Sequence, residues 1–348
     1  MEYPSLDTAK AGAIRFNTDS SQLEIYDGNQ WTGILATSGE LQTGSTRGLY
    51  AGGQDNADTI DFVNIDSTGN AVDFGNMIAS KEAPVGSGDR TRGVYFAGSP
   101  GPADIQHVTF ASTGNATDYG QDTGAAHSSG AGFQNSTRSG VAGGQGNTQQ
   151  IDFITTQSSG VSNDFGDLTD GRGGNCGASS PVRGLFFGGY ISPSSTSNAN
   201  IDYITTSTTG NARDFGDLTQ ARYFFGAGSN AVRAVIGSGQ QYPSIINNID
   251  FVTMATLGNA TDFGDATTSG YGNGASASRT RCVWGGDSSP GLTNTMDFVQ
   301  IMTTGNAIDF GDLNTATRYV GATSNGVSND FGDLTDGRGG NCGASSPV

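Results

Sequence analysis

The sequence predicts an all-β fold made of a repeated four-stranded unit, and three observations lead to this prediction. Glycine accounts for 56 of the 348 residues, and apolar residues recur only in short clusters, as expected for many short strands joined by tight turns. Three short motifs recur in one fixed order, with 45–50 residues between successive copies. No stretch of useful length has helical periodicity. Four strands in each such repeat predict a β-propeller.

The first motif is an Arg that opens a short apolar run ending in Gly, at Arg47, Arg92, Arg138, Arg183, Arg233 and Arg281. The second is an Ile-Asp-Phe-Val-like run, with its polar residue at Asp61, Gln106, Asp152, Asp202, Asp250 and Asp297. The third is Asp-Phe-Gly, or Asp-Tyr-Gly in the second copy, beginning at Asp73, Asp118, Asp164, Asp214, Asp262 and Asp309.

The spacing of these motifs predicts a rigid frame with one variable loop. The second and third motifs are 12 residues apart in all six copies, and the next Arg follows after 19 or 20. The interval from the Arg to the second motif varies from 14 to 19 residues. Length variation confined to one connection is typical of a scaffold that carries a variable surface loop.

Each repeat is predicted to form four strands in order. A run such as Tyr223–Ser229 is the first, the Arg run the second, the Ile-Asp-Phe-Val run the third, and the stretch ending in Asp-Phe-Gly-Asp the fourth. Gly-Asn pairs such as Gly69-Asn70 predict tight hairpins between the last two strands. Alternation in the third strand points Ile201 and Tyr203 to one face.

The chain ends are predicted to close the ring. Residues 13–34 fit the same intervals, with Arg15 in the place of the second motif and Asp27 in the place of the third. We therefore expect seven blades, six complete and one split between the two ends, with Thr317–Ser324 as its first strand. This divides the chain into residues 1–36, the repeats at 37–325, and residues 326–348. The last segment repeats 160–182 letter for letter, through a recent duplication or a splice in the sequence.

Charge narrows the classes of partner. The formal net charge is −17, so the surface should repel phosphate backbones and anionic membranes. No apolar run is long enough to span a bilayer, and the first residues lack the apolar core of a signal peptide. Cys176, Cys282 and Cys342 lack metal-site spacing. No cofactor is predicted.

No catalytic or metal-ligating set is predicted. The repeated Asp-Phe-Gly-Asp could suggest calcium, but two Asp flanking Phe-Gly favour a turn in which the carboxylates cap backbone N–H groups while Phe packs between blades. Arg183 and Asp202 are expected to form a structural cross-strand pair. His107 is placed in a third strand, and His127 in an inner strand facing the axis. A pair of carboxylates for glycoside hydrolysis stays open.

The variable loops hold the candidate contact residues. These loops are Gly189–Asn200, Gln240–Asn248 and Asp287–Thr295. Tyrosine combines an apolar ring with a polar end, and such side chains stack on sugars and anchor interfaces. The alternative is that the two tyrosines fold back on their own loops. The predicted ligand-binding residues are Tyr190, Tyr242, Asn248 and Asp287.

Two family resemblances follow from these motifs. Arg183–Asp217 (RGLFFGGY…IDYITTSTTGNARDFGD) resembles a kelch repeat, with an apolar strand ending in Gly-Gly, a short β run, a turn and an outer strand. Residues 11–34 (AGAIRFNTDSSQLEIYDGNQWTGI) look like a segment common in phage tail-fibre and other virion proteins. That resemblance implies a virion tail component whose Gly-rich β modules serve attachment.

Three functions are therefore considered. The first is a non-enzymatic tail-fibre or tail-associated virion protein that binds a host surface glycan or a neighbouring virion protein. The second is a glycan-degrading propeller enzyme of the tail, and the third is a cellular kelch-type interaction module. The first implies other tail proteins as partners and leaves a homo-oligomer open.

Overall fold

The structure, a computed structural model, is all β in the part of the chain it describes, which confirms the predicted fold class. The chain divides into two compact units, residues 1–43 with 331–348, and residues 44–330. The exact repeat at 326–348 lies outside the described residues, which are 10–17, 22–33, 46–54, 57–96, 98–100, 104–122, 127–191, 196–288 and 290–325.

The N-terminal unit contains a three-stranded antiparallel sheet of its own: β1 (Ile14–Asn17), β2 (Gln22–Tyr26) and β3 (Trp31–Gly33). The Arg15 guanidinium lies 4.3 Å from the Trp31 ring centroid, and its Nε is 2.7 Å from a Glu24 carboxylate oxygen. The Asp27 carboxylate accepts the backbone N–H groups of Asn29 and Gln30 at 2.7 and 2.8 Å, closing the turn. These hydrogen bonds lower the pKa of Asp27.

In the second unit, each repeat forms one four-stranded antiparallel sheet, or blade. The first repeat supplies β4 (Arg47–Ala51), β5 (Thr59–Asn64) and β6 (Val72–Asn76). The second supplies β7 (Val85–Gly88), β8 (Arg92–Phe96), β9 (Asp104–Thr109) and β10 (Thr117–Gln121). The third supplies β11 (Ala131–Gln134), β12 (Arg138–Ala142), β13 (Gln150–Thr155) and β14 (Asn163–Asp167).

The remaining repeats follow the same order. The fourth blade is β15 (Cys176–Ser179), β16 (Arg183–Phe187), β19 (Asn200–Thr205) and β20 (Arg213–Asp217), with a small hairpin of β17 (Tyr190–Ile191) and β18 (Thr196–Ser197) in its variable loop. The fifth is β21 (Gly226–Ser229), β22 (Arg233–Gln241), β23 (Ser244–Thr253) and β24 (Thr261–Asp265). The sixth is β25 (Gly274–Ala277), β26 (Arg281–Gly285), β27 (Thr293–Gln300) and β28 (Ile308–Thr317), followed by β29 (Gly321–Ser324).

Strand β29 completes the blade of the first repeat, and this corrects the predicted blade number. It pairs antiparallel with β4, Gly321 opposite Ala51 and Ser324 opposite Gly48, giving the order β29-β4-β5-β6. The last strand of this unit therefore completes a blade that begins at its other end, but this is not the blade that the sequence predicts. Thr317–Ser324 does not join residues 13–34, because the first repeat lacks an inner strand of its own and β29 supplies it. The described residues thus form six blades, not seven.

A ring of backbone hydrogen bonds closes the six blades into a cycle. The residue two positions before each inner strand donates its N–H to the equivalent carbonyl of the preceding blade, over 2.5–3.0 Å. Because the N–H of the first member, Ala83, donates to the carbonyl of the last member, Tyr319, the cycle has no free end. We call this ring the axial mouth, and its six members are Ala83, Ser129, Gly174, Phe224, Gly272 and Tyr319.

The six Arg anchors form a second cycle. Each donates from its guanidinium to a backbone carbonyl in the next blade over 2.6–3.3 Å, and the sixth reaches back to the first blade. Five of these guanidinium groups also lie 4.1–5.1 Å from a third-strand aromatic ring. In the second blade His107 takes the place of that ring. A planar, permanently charged group suits both contacts.

The aromatic residue of the Asp-Phe-Gly motif packs between blades, as predicted. Its members are at most 3% exposed: Phe74, Tyr119, Phe165, Phe215, Phe263 and Phe310. Phe74, for instance, packs with Val108 and Phe110 of the following blade. Alternation in the third strand also holds, because Ile201 and Tyr203 pack on one blade interface while Ile204 packs on the other.

Two predicted roles of the motif carboxylates are wrong. Arg183 does not pair with Asp202, because the register sets Arg183 opposite Thr205 and Asp202 opposite Phe186. Asp202 lies three residues from Thr205 along its strand, so its side chain points to the opposite face of the sheet from that of Thr205. The exposed Asp-Phe-Gly-Asp carboxylates also cap no backbone N–H among the described residues. Instead, a hairpin Asn of the neighbouring blade accepts the N–H that follows the glycine, as Asn211 does from Asp167.

Candidate functional site

The variable loops and the axial mouth lie at the same face of the ring. In a four-stranded antiparallel blade, the connection from the second to the third strand and the connection from the fourth strand to the next blade lie at the same end of the strands. Backbone bridges join these connections in four blades: Glu82 with Ser99, Gly173 with Tyr190, Tyr223 with Gln240, and Tyr271 with Ser288. We call this the upper face. It therefore carries the predicted contact loops.

Five aromatic side chains form a continuous cluster on the upper face. Neighbouring ring centroids in it are 5.0–6.2 Å apart and tilted or edge-to-face. Four of the five are half-buried, so their rings are accessible to a ligand. We call this set the mouth cluster, and it consists of Tyr190, Tyr223, Phe224, Tyr271 and Tyr319.

The mouth cluster combines apolar ring faces with polar groups. The Arg318 guanidinium lies 5.1 Å from the Tyr271 ring and 4.8 Å from the Tyr319 ring, and donates to the Tyr271 hydroxyl. Burial raises the pKa of Tyr319 to about 12, against the lowering effect of the Arg318 charge. Burial also raises the pKa of Tyr190. Both hydroxyls therefore stay protonated at neutral pH and can donate hydrogen bonds.

A cavity opens beside the mouth cluster. Its volume is about 290 Å³, and its walls include the side chains of Tyr190, Phe224 and Tyr319. The polar residues Glu82 and Gln145 also line it. A cavity lined by both aromatic and polar residues suits a sugar ring, which has both apolar and hydroxyl faces.

The axial channel below the mouth is too narrow to bind such a ligand. Inner-strand glycines approach one another so closely that a Cβ on Gly86 would lie 2.1 Å from the Ala322 carbonyl oxygen, and one on Gly132 2.1 Å from that of Gly86. The cavity there is about 100 Å³, and its lining combines small residues such as Gly86 and Gly132 with Phe225 and the axial-mouth residues Phe224 and Tyr319. Ligand contact is therefore expected at the mouth, not within the channel.

The four sequence-predicted contact residues have different environments. Tyr190 belongs to the mouth cluster, and Tyr242 is 75% exposed at the tip of the β22–β23 hairpin. Asn248 is engaged in the fold, since its side-chain amide donates to Asp250 and its backbone carbonyl accepts from Arg222. Asp287 accepts the Thr293 hydroxyl at 2.6 Å within its own loop. Burial raises the pKa of Asp287.

Sequence reasoning missed the other members of the mouth cluster. All four lie in the connection that precedes an inner strand, two or three residues before it: Tyr223, Phe224, Tyr271 and Tyr319. They occupy neighbouring positions of the repeat, so aligning these connections could have found them. From the sequence, Tyr223, Phe224 and Tyr319 are predicted to lie in first strands, but these strands begin only at Gly226 and Gly321.

The Asp anchors hold successive blades together. Asp202 accepts the backbone N–H and hydroxyl of Thr169 at 3.0 and 2.8 Å, and Asp250 and Asp297 accept the same groups from Thr219 and Thr267. Asp61 accepts from Asn314 in the same way. Thr169, Thr219 and Thr267 lie in the connection between the preceding blade and the anchor's own blade, whereas Asn314 lies in the last strand of the preceding blade.

Buried cations pair with a third-strand carboxylate in three blades. Arg172 and Arg222 lie 2.7 Å from Asp202 and Asp250, and all four side chains are almost completely buried. The Lys81 amine lies 2.7 Å from Asp104. Each cation occupies the same place in its repeat, two residues before the member of the axial mouth.

His127 occupies this cation position four residues before the inner strand of the third blade, so the prediction that it lies in an inner strand and faces the axis is wrong. Its Nδ1 donates to the Gly143 carbonyl at 2.6 Å, and its Nε2 is 2.8 Å from Asp152 and 3.7 Å from Asp122. Burial acts to lower the pKa of His127, but Asp152 and Asp122 outweigh it and the pKa is raised. The three side chains bring potential metal-ligating atoms within 4.8 Å of one another.

His107 lies in a third strand, as predicted. Burial, followed by the charge of Arg92, lowers its pKa. Its ring is edge-on to Tyr119 at 5.8 Å. These contacts give it a packing role in the place of an aromatic residue.

No protein-family model matches the chain, and no curated protein matches it significantly. Among the described residues, no helix is long and apolar enough to cross a membrane.

Proposed function

We propose that this chain is a non-enzymatic, tail-associated virion protein that binds a host surface polysaccharide through the upper face of its six-bladed ring. The mouth cluster carries this proposal. It places five aromatic rings side by side next to a cavity with polar walls. Aromatic faces beside fixed hydrogen-bonding groups are well suited to stack on sugar rings and orient their hydroxyls.

The surface charge favours a glycan over a nucleic acid as the ligand. The chain has a formal net charge of −17, which opposes binding to phosphate backbones. Arg318 supplies a cationic group within the mouth cluster itself. Neutral sugars, or sugars with an isolated acidic group, are therefore the fitting ligand class.

The N-terminal sheet supports a place in a virion. The residues that resemble the virion segment also build this sheet, since Arg15 contacts both Glu24 and Trp31 and Tyr26 packs 5.4 Å from Trp31. The resemblance therefore extends over residues that stabilise one another. In virion proteins such a segment is structural, which suits a tail component attached near its N-terminus.

Binding can be measured on an array of purified bacterial surface polysaccharides, followed by calorimetry with any polysaccharide that binds. We expect Tyr190→Ala to weaken binding about tenfold, because it removes one stacking face of the mouth cluster. Tyr242→Ala should have a smaller effect, because Tyr242 lies at the rim. The thermal midpoint of each variant should be measured to exclude a folding defect.

Leu257→Ala is the matched control. Leu257 is 57% exposed in the hairpin between the third and fourth strands, at the opposite face of the ring. It should bind like the unmodified chain. Unchanged affinity in both Tyr variants would reject the mouth cluster as the binding site and favour contact with a neighbouring virion protein. Release of reducing ends during incubation would instead favour the glycan-degrading enzyme.

The place in the virion needs its own test. Antibodies against the purified chain should decorate tails of particles released from a host that carries the gene. Particles without label, with the chain found only in the cell lysate, would reject the virion role. In that case the cellular interaction module becomes the preferred alternative.

A further inference from the structure

We propose that Asp122, His127 and Asp152 form a structural binding site for one divalent transition-metal ion. Three ligand atoms converge there: the His127 Nε2 and one carboxylate oxygen from each Asp, separated by 2.8 Å and 3.7 Å from the imidazole. The His127 and Asp122 side chains are fully buried, and that of Asp152 is 2% exposed. This site is separate from the mouth cluster and does not depend on the proposed function.

Each of the three side chains is held from its far side. His127 Nδ1 donates to the Gly143 carbonyl at 2.6 Å, which leaves Nε2 as the inward-facing nitrogen. The second oxygen of Asp122 accepts the Ser162 hydroxyl at 2.6 Å, and that of Asp152 accepts the Gln150 amide at 3.2 Å. Outer hydrogen bonds that orient every ligand in this way are typical of metal sites in proteins.

The repeat shows that this polar cluster is specific to one blade connection. Four residues after the first Asp of Asp-Phe-Gly, the other repeats have an apolar core residue: Met77, Leu168, Leu218, Ala266 and Leu313. Only Asp122 is charged there. Two residues before the first Asp of Asp-Phe-Gly, the third repeat has Ser162, and the other repeats have alanine: Ala71, Ala116, Ala212, Ala260 and Ala307. At this one connection, therefore, a carboxylate stands at one apolar position of the repeat, and the serine whose hydroxyl donates to it stands at another.

Charge also distinguishes this cluster from its counterparts. Arg172 with Asp202 and Arg222 with Asp250 are buried pairs with one positive and one negative charge. The cluster has two carboxylates and only one imidazole. A buried carboxylate costs less free energy when a positive charge lies beside it. A divalent ion bound to two carboxylates and a neutral imidazole restores the balance that the other blades have.

The donor set defines the class of ion. One imidazole and two carboxylates suit zinc and neighbouring first-row divalent ions. The burial of the cluster excludes contact with a substrate, so the ion would tie the end of the second repeat to the third blade. A metal that binds only the folded chain stabilises it.

Zinc provides the test. The full chain is unfolded in denaturant, refolded with zinc or with EDTA, dialysed, and analysed for bound metal by mass spectrometry. We expect about one zinc ion per chain after refolding with zinc. The thermal midpoint should be at least about 5 °C higher than after refolding with EDTA.

The control is the triple variant Asp122→Leu, His127→Arg, Ser162→Ala, which introduces the residues found at Leu168, Arg172 and Ala212. It should fold, hold no zinc and show the same midpoint under both conditions. The single variant Asp122→Asn should lose at least about tenfold in zinc affinity. Equal zinc in the triple variant and the unmodified chain, or no zinc in either, would overturn the proposal. In the second case His127 acts as another buried cation.

Discussion

At the scale of single residues, glycine determines how closely the inner strands approach. Gly86, Gly132 and Gly177 follow one another around the axis, and a Cβ on each would lie 2.1 Å from a backbone oxygen of the neighbouring strand. These contacts involve backbone, which cannot move aside as a side chain can. Small size, not backbone conformation, is therefore the property required at these positions.

Gly132→Ala should lower the free energy of unfolding by about 1–3 kcal/mol, because the added methyl group forces the inner strands apart. Gly291→Ala is the matched control, since Gly291 has no atom within 4 Å of an added Cβ and its φ is not positive. It should change stability by less than about 0.5 kcal/mol. Urea unfolding followed by circular dichroism measures both. Similar values for the two variants would contradict the close-approach argument.

At the scale of elements, the third strand joins its blade to the preceding one. Asp202 and Asp297 make the same two hydrogen bonds, to Thr169 and Thr267 respectively. Only Asp202 also pairs with a buried cation, Arg172, because Gly270 occupies the cation position of the other connection. The two sites therefore differ by one ion pair on a common frame.

Asp202→Asn should cost about 3–5 kcal/mol, because it leaves the Arg172 guanidinium buried without a counter-charge. Asp297→Asn should cost only about 1 kcal/mol, since an amide oxygen can still accept from Thr267. The free energies of unfolding of the two variants, measured in urea, give the comparison. If both lose the same stability, the buried pair contributes no more than the hydrogen bonds.

At the scale of the whole molecule, stability depends on a strand contributed from the far end of the unit. β29 is the inner strand of the first blade, and its Ser324 hydroxyl donates to the Ala277 carbonyl of the sixth blade over 2.7 Å. Without it, β4 would expose an unpaired edge, and two blades would lose an inner neighbour. Closure also lets every blade bury both faces.

A chain that ends at Val320 keeps the axial mouth but lacks β29. We expect its thermal midpoint to fall by at least about 10 °C relative to a chain that ends at Asn325, because several kcal/mol of strand pairing and packing are lost. Its unfolding should also become less cooperative. Differential scanning calorimetry of the two chains tests this. Equal midpoints would show that closure by β29 is dispensable.

Motif spacing was sufficient to predict much of the local structure within each repeat. It predicted the strand order within each blade and the burial of the Asp-Phe-Gly aromatic. These features depend on side-chain periodicity, which is encoded over a few residues. It misplaced the hairpin turn, which forms at Asn64–Ser67, because Gly69 and Asn70 instead form hydrogen bonds to the preceding blade. The tyrosine in the fourth variable loop, Tyr190, was likewise identified from residue type and loop position.

Contacts between repeats required the folded molecule. The number of blades follows from which strand completes β4, and motif spacing assigned Thr317–Ser324 to residues 13–34 instead. The mouth cluster and the Asp122–His127–Asp152 set each unite residues from different repeats, and the carboxylate of Asp122 lies at a position that the other repeats fill with an apolar side chain. Separation along the chain does not indicate which residues of different repeats lie close in space. Their distances in space depend on how the ring closes and on the register between strands.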